Sequence, residues 1–209
     1  LEALVRFTDE ELKHQALFRR LEAMMAQGMP AGYRFLPQPN DVAGFVLGKG
    51  TWAVLALTCH IEIFTLAHYR QSIEPSPDLS PLFKDVLFFH MREESQHAIL
   101  DEMEWKREHA KLDAAARDRG VNELIELVAG VDGILQQQAP ADVDYFASVA
   151  GRPFRAEEMA AIRAAVLKAY RWQYIVSGAQ EPRFATLLTE MTTPAQMERI
   201  GAALAPIMQ

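Results

Sequence analysis

The residues with the most chemistry to offer lie in FFHMREESQHAILDE, residues 88–102, where His90, Glu94 and His97 recur at spacings of four and three. Successive residues of a helix turn by about 100°, so positions 90, 94, 97 and 101 fall within an arc of roughly 60°. His90, Glu94, His97 and Asp101 therefore share one stripe of a helix. A solvated polar face is the ordinary reading of such a stripe, but the flanks argue against it. Phe83 and Leu87 lead into it, Met91, Ala98 and Trp105 border one side, and Val86, Phe89 and Leu100 the other. A buried row of ionisable groups is unfavourable unless something satisfies it. A cation held by imidazole nitrogens and carboxylate oxygens does so.

Two other segments carry the same logic. Glu62 is the only Asp, Glu, Lys or Arg between Lys49 and Arg70, in a run that is apolar nearly all round. The ordinary alternative is a carboxylate held by a local hydrogen bond or an arginine, and the sequence names no such partner. His60 points to a different side, roughly 200° away on the helix; with His68 and His109 it reads as structural or exposed. The third element is Glu11-Leu-Lys-His14. Glu at i and His at i+3 share one helical face and can coordinate a common metal. Thr8-Asp-Glu-Glu11 also matches a capping box, in which Glu11 would satisfy only the backbone of a helix start.

Two Glu-x-x-His motifs, at 11/14 and 94/97, with a lone buried glutamate between them weigh more than either alone. Glu11, His14, Glu62, His90, Glu94 and His97 supply three carboxylates and three imidazoles, a set suited to two iron or manganese ions. Structural zinc usually takes one tetrahedral site rich in Cys or His, which this pattern does not offer. Asp101, one turn beyond His97, is placed to accept from an imidazole and fix its tautomer.

The elements that must position these residues read as helices throughout, because apolar residues recur at helical spacing. Helices are expected over about 8–27, 42–71, 79–112, 121–138, 155–177 and 193–207. The breakers between them are MPAGYRFLPQPN (29–40), EPSPDLSP (74–81), Gly120, Ala139-Pro140, GRP at 151–153 and Gly178 through Pro182. With 209 residues and no repeat or linker, the chain reads as a single all-α domain spanning 1–209. Its metal-binding core is expected at about 8–112, with a C-terminal helical part at about 120–209. The abrupt, already helical start suggests that something precedes Leu1.

A net charge of −7 argues against a broad nucleic-acid or anionic-membrane surface, since both need clustered Lys and Arg. The single cysteine, Cys59, permits no internal disulfide and no cysteine metal cluster, which points to a reducing, cytoplasmic setting. TWAVLALTCHIEIFTLAHY (51–69) is nearly long enough to span a bilayer, but Glu62, His60 and His68 favour a buried helix. No signal peptide is visible at the N-terminus. GFVLGKGT (44–51) lacks the glycine spacing and preceding strand of a phosphate loop. The aromatics of AYRWQYIVSG (169–178) read as core, with a substrate wall as the alternative.

A Glu-x-x-His helix, a lone-Glu helix and a His-x-x-x-Glu-x-x-His helix resemble the non-haem diiron N-oxygenases of the p-aminobenzoate N-oxygenase type, on the ferritin-like four-helix bundle. The extra histidine, here His90, is the most specific part, and residues 8–110 carry the resemblance. It implies Glu11, His14, Glu62, His90, Glu94 and His97 as iron ligands, two iron ions (or a manganese/iron pair), O2, an external electron donor and a small organic substrate oxygenated at nitrogen or carbon. That family has a further ligand glutamate on a helix before its first Glu-x-x-His. Only ten residues precede Glu11, so three options stand: an N-terminal helix is missing from this chain, a later helix contributes the carboxylate (Glu123, Glu126 or Asp132), or the site has six protein ligands. The six-ligand option resembles a second group, the haem-oxygenase-like diiron oxidases, which take Glu and His, then Glu, then His-x-x-x-Asp/Glu-x-x-His from three core helices. The rival readings are a ferritin-like metal-storage or structural-metal protein without an organic substrate, and a helical interaction protein without metal. A homodimer is left open.

Overall fold

The structure is a computed structural model that describes residues 2–208, and among these it is all-α, with no strand. The chain runs α1 (Glu2–Ala26), α2 (Pro39–Leu47), α3 (Thr51–His68), α4 (Pro81–Lys111), α5 (Ala114–Val149), α6 (Ala156–Arg171), α7 (Ser177–Gln180), α8 (Pro182–Glu190) and α9 (Pro194–Leu204). Two π-helical turns, Tyr69–Ile73 and Trp172–Val176, continue α3 and join α6 to α7.

Local chemistry sets most of the boundaries. Ser80 caps α4 by accepting from Phe83 N, with Pro81 in the first turn. Asp113 caps α5 by accepting from Ala116 N at 2.7 Å, and Thr193 and Gln196 form a reciprocal capping box on α9. The core is built around α3, whose Trp52, Ala53, Ala56, Cys59 and Ile63 pack with Ala98 and Trp105 of α4, Val121, Leu124 and Leu127 of α5, and Phe184 and Leu187 of α8. Thr51–Ile73 is apolar and long enough to cross a membrane by composition, but most of its apolar residues pack into the core, with Ile61 exposed.

The helix boundaries depart from those expected at three places. Gly48-Lys49-Gly50 interrupts the helix expected over 42–71, and Gly50 becomes the N-cap of α3. Gly120 lies inside α5, where a Cβ would meet the Trp52 ring at 2.8 Å; the glycine lets α5 approach α3 rather than ending a helix. Ala139-Pro140 also lies within α5. Pro140 removes one backbone donor, but Ala139 and Val143 are buried on the core side and hold the helix through it. The expected helix at 8–27 starts earlier, at Glu2, and α8 was not anticipated.

Candidate metal centre

Glu11 and His14 stand on α1, Glu62 on α3, and His90, Glu94 and His97 on α4. The two readings of Glu11 separate at Thr8. Its hydroxyl donates to Leu4 O at 3.0 Å, within a helix already under way, so no capping box forms and Glu11 projects from mid-helix. His14 is the one buried residue of α1, and it is buried against α4.

Donor atoms of Glu11, His14, Glu94 and His97 lie within 4.8 Å of one another. Glu94 is the hub. Its Oε1 is 2.6 Å from His90 Nε2 and 3.1 Å from His14 Nδ1, and its Oε2 is 2.6 Å from His97 Nδ1. Glu11 Oε1 sits 2.9 Å from His97 Nδ1. Glu62 joins from α3 through a hydrogen bond to Glu94. The arginine expected as its ordinary partner is not what it meets.

The outer nitrogens of two imidazoles meet carboxylates that the sequence analysis did not single out. His14 Nε2 donates to Glu93 Oε2 at 2.8 Å, and His97 Nε2 donates to Glu10 Oε2 at 2.8 Å. A carboxylate can only accept, so each bond places a proton on Nε2 and turns Nδ1 toward the cluster, where Nδ1 of His97 also donates to Glu94 Oε2 at 2.6 Å in the metal-free chain. Lys13 holds Glu93 in turn, with Nζ 2.6 Å from Oε1. The signal that could have found Glu10 and Glu93 is a repeat: both motifs are Glu-Glu-x-x-His, at 10–14 and 93–97. Phe7 and Phe18 of α1 cover the imidazoles of His97 and His90, with ring centroids 4.0 and 4.8 Å away.

Electrostatics record the same crowding. Burial, then the hydrogen bond and charge of Glu94, push the Glu62 carboxyl far above the usual carboxylate range, so it is protonated and donates to Glu94. Burial also pushes Glu94 up, but hydrogen bonds from His90 and Glu62 and the nearby imidazoles outweigh it and leave its pKa lowered. Burial opposes protonation of His97, yet the carboxylates of Glu10, Glu94 and Glu11 raise its pKa overall. Buried Glu11 Oε1 and His14 Nδ1 are close to His97 Nδ1 and Glu94 Oε1, at 2.9 and 3.1 Å, yet neither contact has hydrogen-bond geometry. Two lone pairs thus point into a buried cluster already rich in carboxylates. That donor set fits a cation.

Other expectations meet different outcomes. Asp101 is buried one turn beyond His97, with its pKa pushed by burial to about 6, but the acceptor on His97 Nε2 is Glu10, and Asp101 Oδ2 has no partner. The three later carboxylates are engaged elsewhere: Glu123 accepts from Gly50 N, Glu126 pairs with Lys49, and Asp132 pairs with Arg171 at 2.6 Å. None of them reaches the cluster. Phe89, expected to flank a buried stripe, is exposed, so the apolar surround is complete only on the side of Ala98 and Trp105. His60 is buried and donates from Nε2 to Ile175 O at 2.9 Å, a structural role as expected, and His109 accepts from Trp52 Nε1. Cys59 is buried and lies outside the cluster, and burial pushes its thiol up to about 12.

Compared with known proteins, the chain matches no family model, no curated protein and no solved structure.

Proposed function

We propose that the protein is a non-haem diiron oxidase or oxygenase that uses O2 to oxidise a small organic substrate. The observation that carries this reading is the convergence of Glu11, His14, Glu62, His90, Glu94 and His97 from three helices, with Glu11 Oε1 and His14 Nδ1 making no hydrogen bond inside it. Two iron ions, or a manganese/iron pair, bound there would supply the O2 chemistry, with electrons from an external donor. His14 and His97 would offer Nδ1, His90 Nε2, and Glu94 both carboxylate oxygens, which already face imidazoles. Glu93 and Glu10 keep protons on the two Nε2 atoms and make those imidazoles more basic. Glu62, whose pKa burial and Glu94 raise in the metal-free chain, would serve as a carboxylate ligand once a bound cation offset the charge beside Glu94. Phe7 and Phe18 limit water at the α1 side.

Six donors from three helices correspond to the arrangement implied by the haem-oxygenase-like resemblance, and the engagement of Glu123, Glu126 and Asp132 elsewhere supports that reading over a ligand from α5. The test is anaerobic reconstitution with Fe(II), metal analysis and optical spectra on exposure to O2. About two metals per chain, lost in Glu94→Ala, and a new visible band with O2 are expected. Retention of full metal binding by Glu94→Ala would overturn the assignment. Metal uptake with iron oxidation but no oxidation of any organic co-substrate would favour a storage protein.

A further inference from the structure

His90 has a second exposure. Its ring forms one wall of a cleft of about 170 Å³ whose other walls are α3, Leu87 of α4 and both π-helical turns. Tyr69 and Ile73 come from the first π turn, and Gln173 and Tyr174 from the second. In each turn the backbone closes an i to i+5 bond, from Glu74 N to Tyr69 O and from Ser177 N to Trp172 O. The extra residue per turn rotates the following side chains out of helical register, and such turns frequently occur at functional sites. Here two of them face one another across a space that ends at a proposed metal ligand.

The chemistry of the walls selects the occupant. Phe64, Leu87 and Ile73 are apolar. Thr65, Tyr69, Gln173 and Tyr174 bring hydroxyls and an amide whose polar atoms make no hydrogen bond with other described residues. No Asp, Glu, Lys or Arg lines the space; of its two imidazoles, burial lowers the pKa of His68 and His90 already faces Glu94, so an ionic substrate would lose its hydration without a free counter-charge. Phe64 and Tyr174 stand perpendicular, with ring centroids 5.7 Å apart, and separate the cleft from apolar space bounded by His60 and Val128. On the outer side His68, Gln173 and Tyr174 also line a wider surface depression, reached past Ser72 and Ala169, so the cleft has a route to solvent.

We propose that this cleft is the substrate site, and that it takes a compact, uncharged molecule with a ring-sized apolar body and one hydrogen-bonding group, entering between the two π-helical turns toward His90. Its identity as a substrate site rests on the metal centre proposed above. The binding cleft itself does not, and the two are tested separately.

Benzamide and benzoate serve as neutral and anionic probes, with toluene as the apolar control, in saturation-transfer NMR on the metal-free protein. Benzamide is expected to bind at least tenfold more tightly than benzoate. Thr65→Trp, which fills the cleft, is expected to lower benzamide affinity at least tenfold while leaving Co(II) binding unchanged. Gln173→Leu, which preserves the shape, is expected to weaken benzamide several-fold and to leave toluene unchanged. In Co(II)-loaded protein the benzamide resonances should broaden through proximity to His90. Equal binding of benzoate, or benzamide affinity unaltered in both variants, overturns the cleft. Absence of Co(II) binding with the metal-free results intact overturns the metal centre alone, and bound Co(II) without broadening overturns the placement beside His90.

Discussion

His97 and Glu10 meet at 2.8 Å across the contact between α1 and α4, while Glu93, beside His97's own motif, reaches back to His14. The two Glu-Glu-x-x-His motifs are thus reciprocal. In each, the inner glutamate faces the cluster, and the outer one accepts from the imidazole of the other motif. This exchange fixes both Nδ1 atoms inward and ties α1 to the bundle by polar contacts, since few of its apolar side chains are buried.

That geometry makes Glu10 a positioning residue. Glu10→Gln or Glu10→Ala is expected to lower metal affinity about 10–100-fold without abolishing binding, whereas His97→Ala removes a donor outright. Competition between the protein and a chromophoric chelator for Co(II) measures the difference. Equal affinity in Glu10→Ala and wild type would remove the tautomer argument.

Metal should also fasten α1. With α1 attached through His14, Glu10 and Glu11, a cation bridging these to Glu94 and His97 stabilises the docked helix by mass action, about 2.7 kcal/mol at a hundredfold excess over Kd. Limited proteolysis should cut α1 sooner in chelator-treated protein, with the cleavage within residues 2–26 suppressed by Mn(II) or Fe(II) and the melting temperature raised by several degrees.

How much of this was legible depends on which signal carried each residue. His90, Glu94 and His97 announce themselves through 3.6-residue periodicity, and Glu62 through its isolation in apolar sequence. Glu11 was ambiguous because Thr8 supplies a capping pattern that only helix α1's true start, upstream at Glu2, removes. Glu10 and Glu93 were hidden because each lies a full 100° step off the ligand stripe; only the crossing of α1 and α4 brings them to the partner imidazole. The all-α class followed from periodicity, while Gly120 and Pro140 misled as breakers because tertiary packing against Trp52 and the core outweighs local propensity. The cleft at His90 had no signal at all, since π-helical register is a backbone choice that leaves little mark on composition.

The protonated Glu62 gives a stability prediction with a definite sign. Its folded pKa is raised far above the unfolded value of about 4.5, so the metal-free folded state binds more protons than the unfolded state at higher pH. Stability from this group is present below about pH 4.5 and falls as pH rises toward the folded pKa. Glu62→Gln should therefore be more stable than wild type at pH 8, on the order of 1–4 kcal/mol, with the gap closing toward pH 5. Metal binding should be impaired in the same variant. Urea melts of both proteins in chelator at the two pH values read the slope.

Gly178 and His60 carry the last prediction, away from the metal. A Cβ on Gly178 would lie 2.7 Å from His60 Nε2 and 2.9 Å from Phe64 Cβ, so α7 approaches α3 only because the residue is glycine. Gly178→Ala should destabilise the protein by about 1–3 kcal/mol through overpacking. It should also strain the bond from His60 to Ile175 O. Burial lowers the His60 pKa to about 4, although the bond to Ile175 opposes this, so the folded state excludes a proton that the unfolded state binds below about pH 6.5. The stability owed to neutral His60 is full above that pH and is lost as pH falls toward about 4. His60→Gln, which can still donate to Ile175 O, should flatten this acid loss relative to wild type. Equal acid loss in both proteins, followed by denaturant melts between pH 7 and pH 4.5, would show that His60 is not its source.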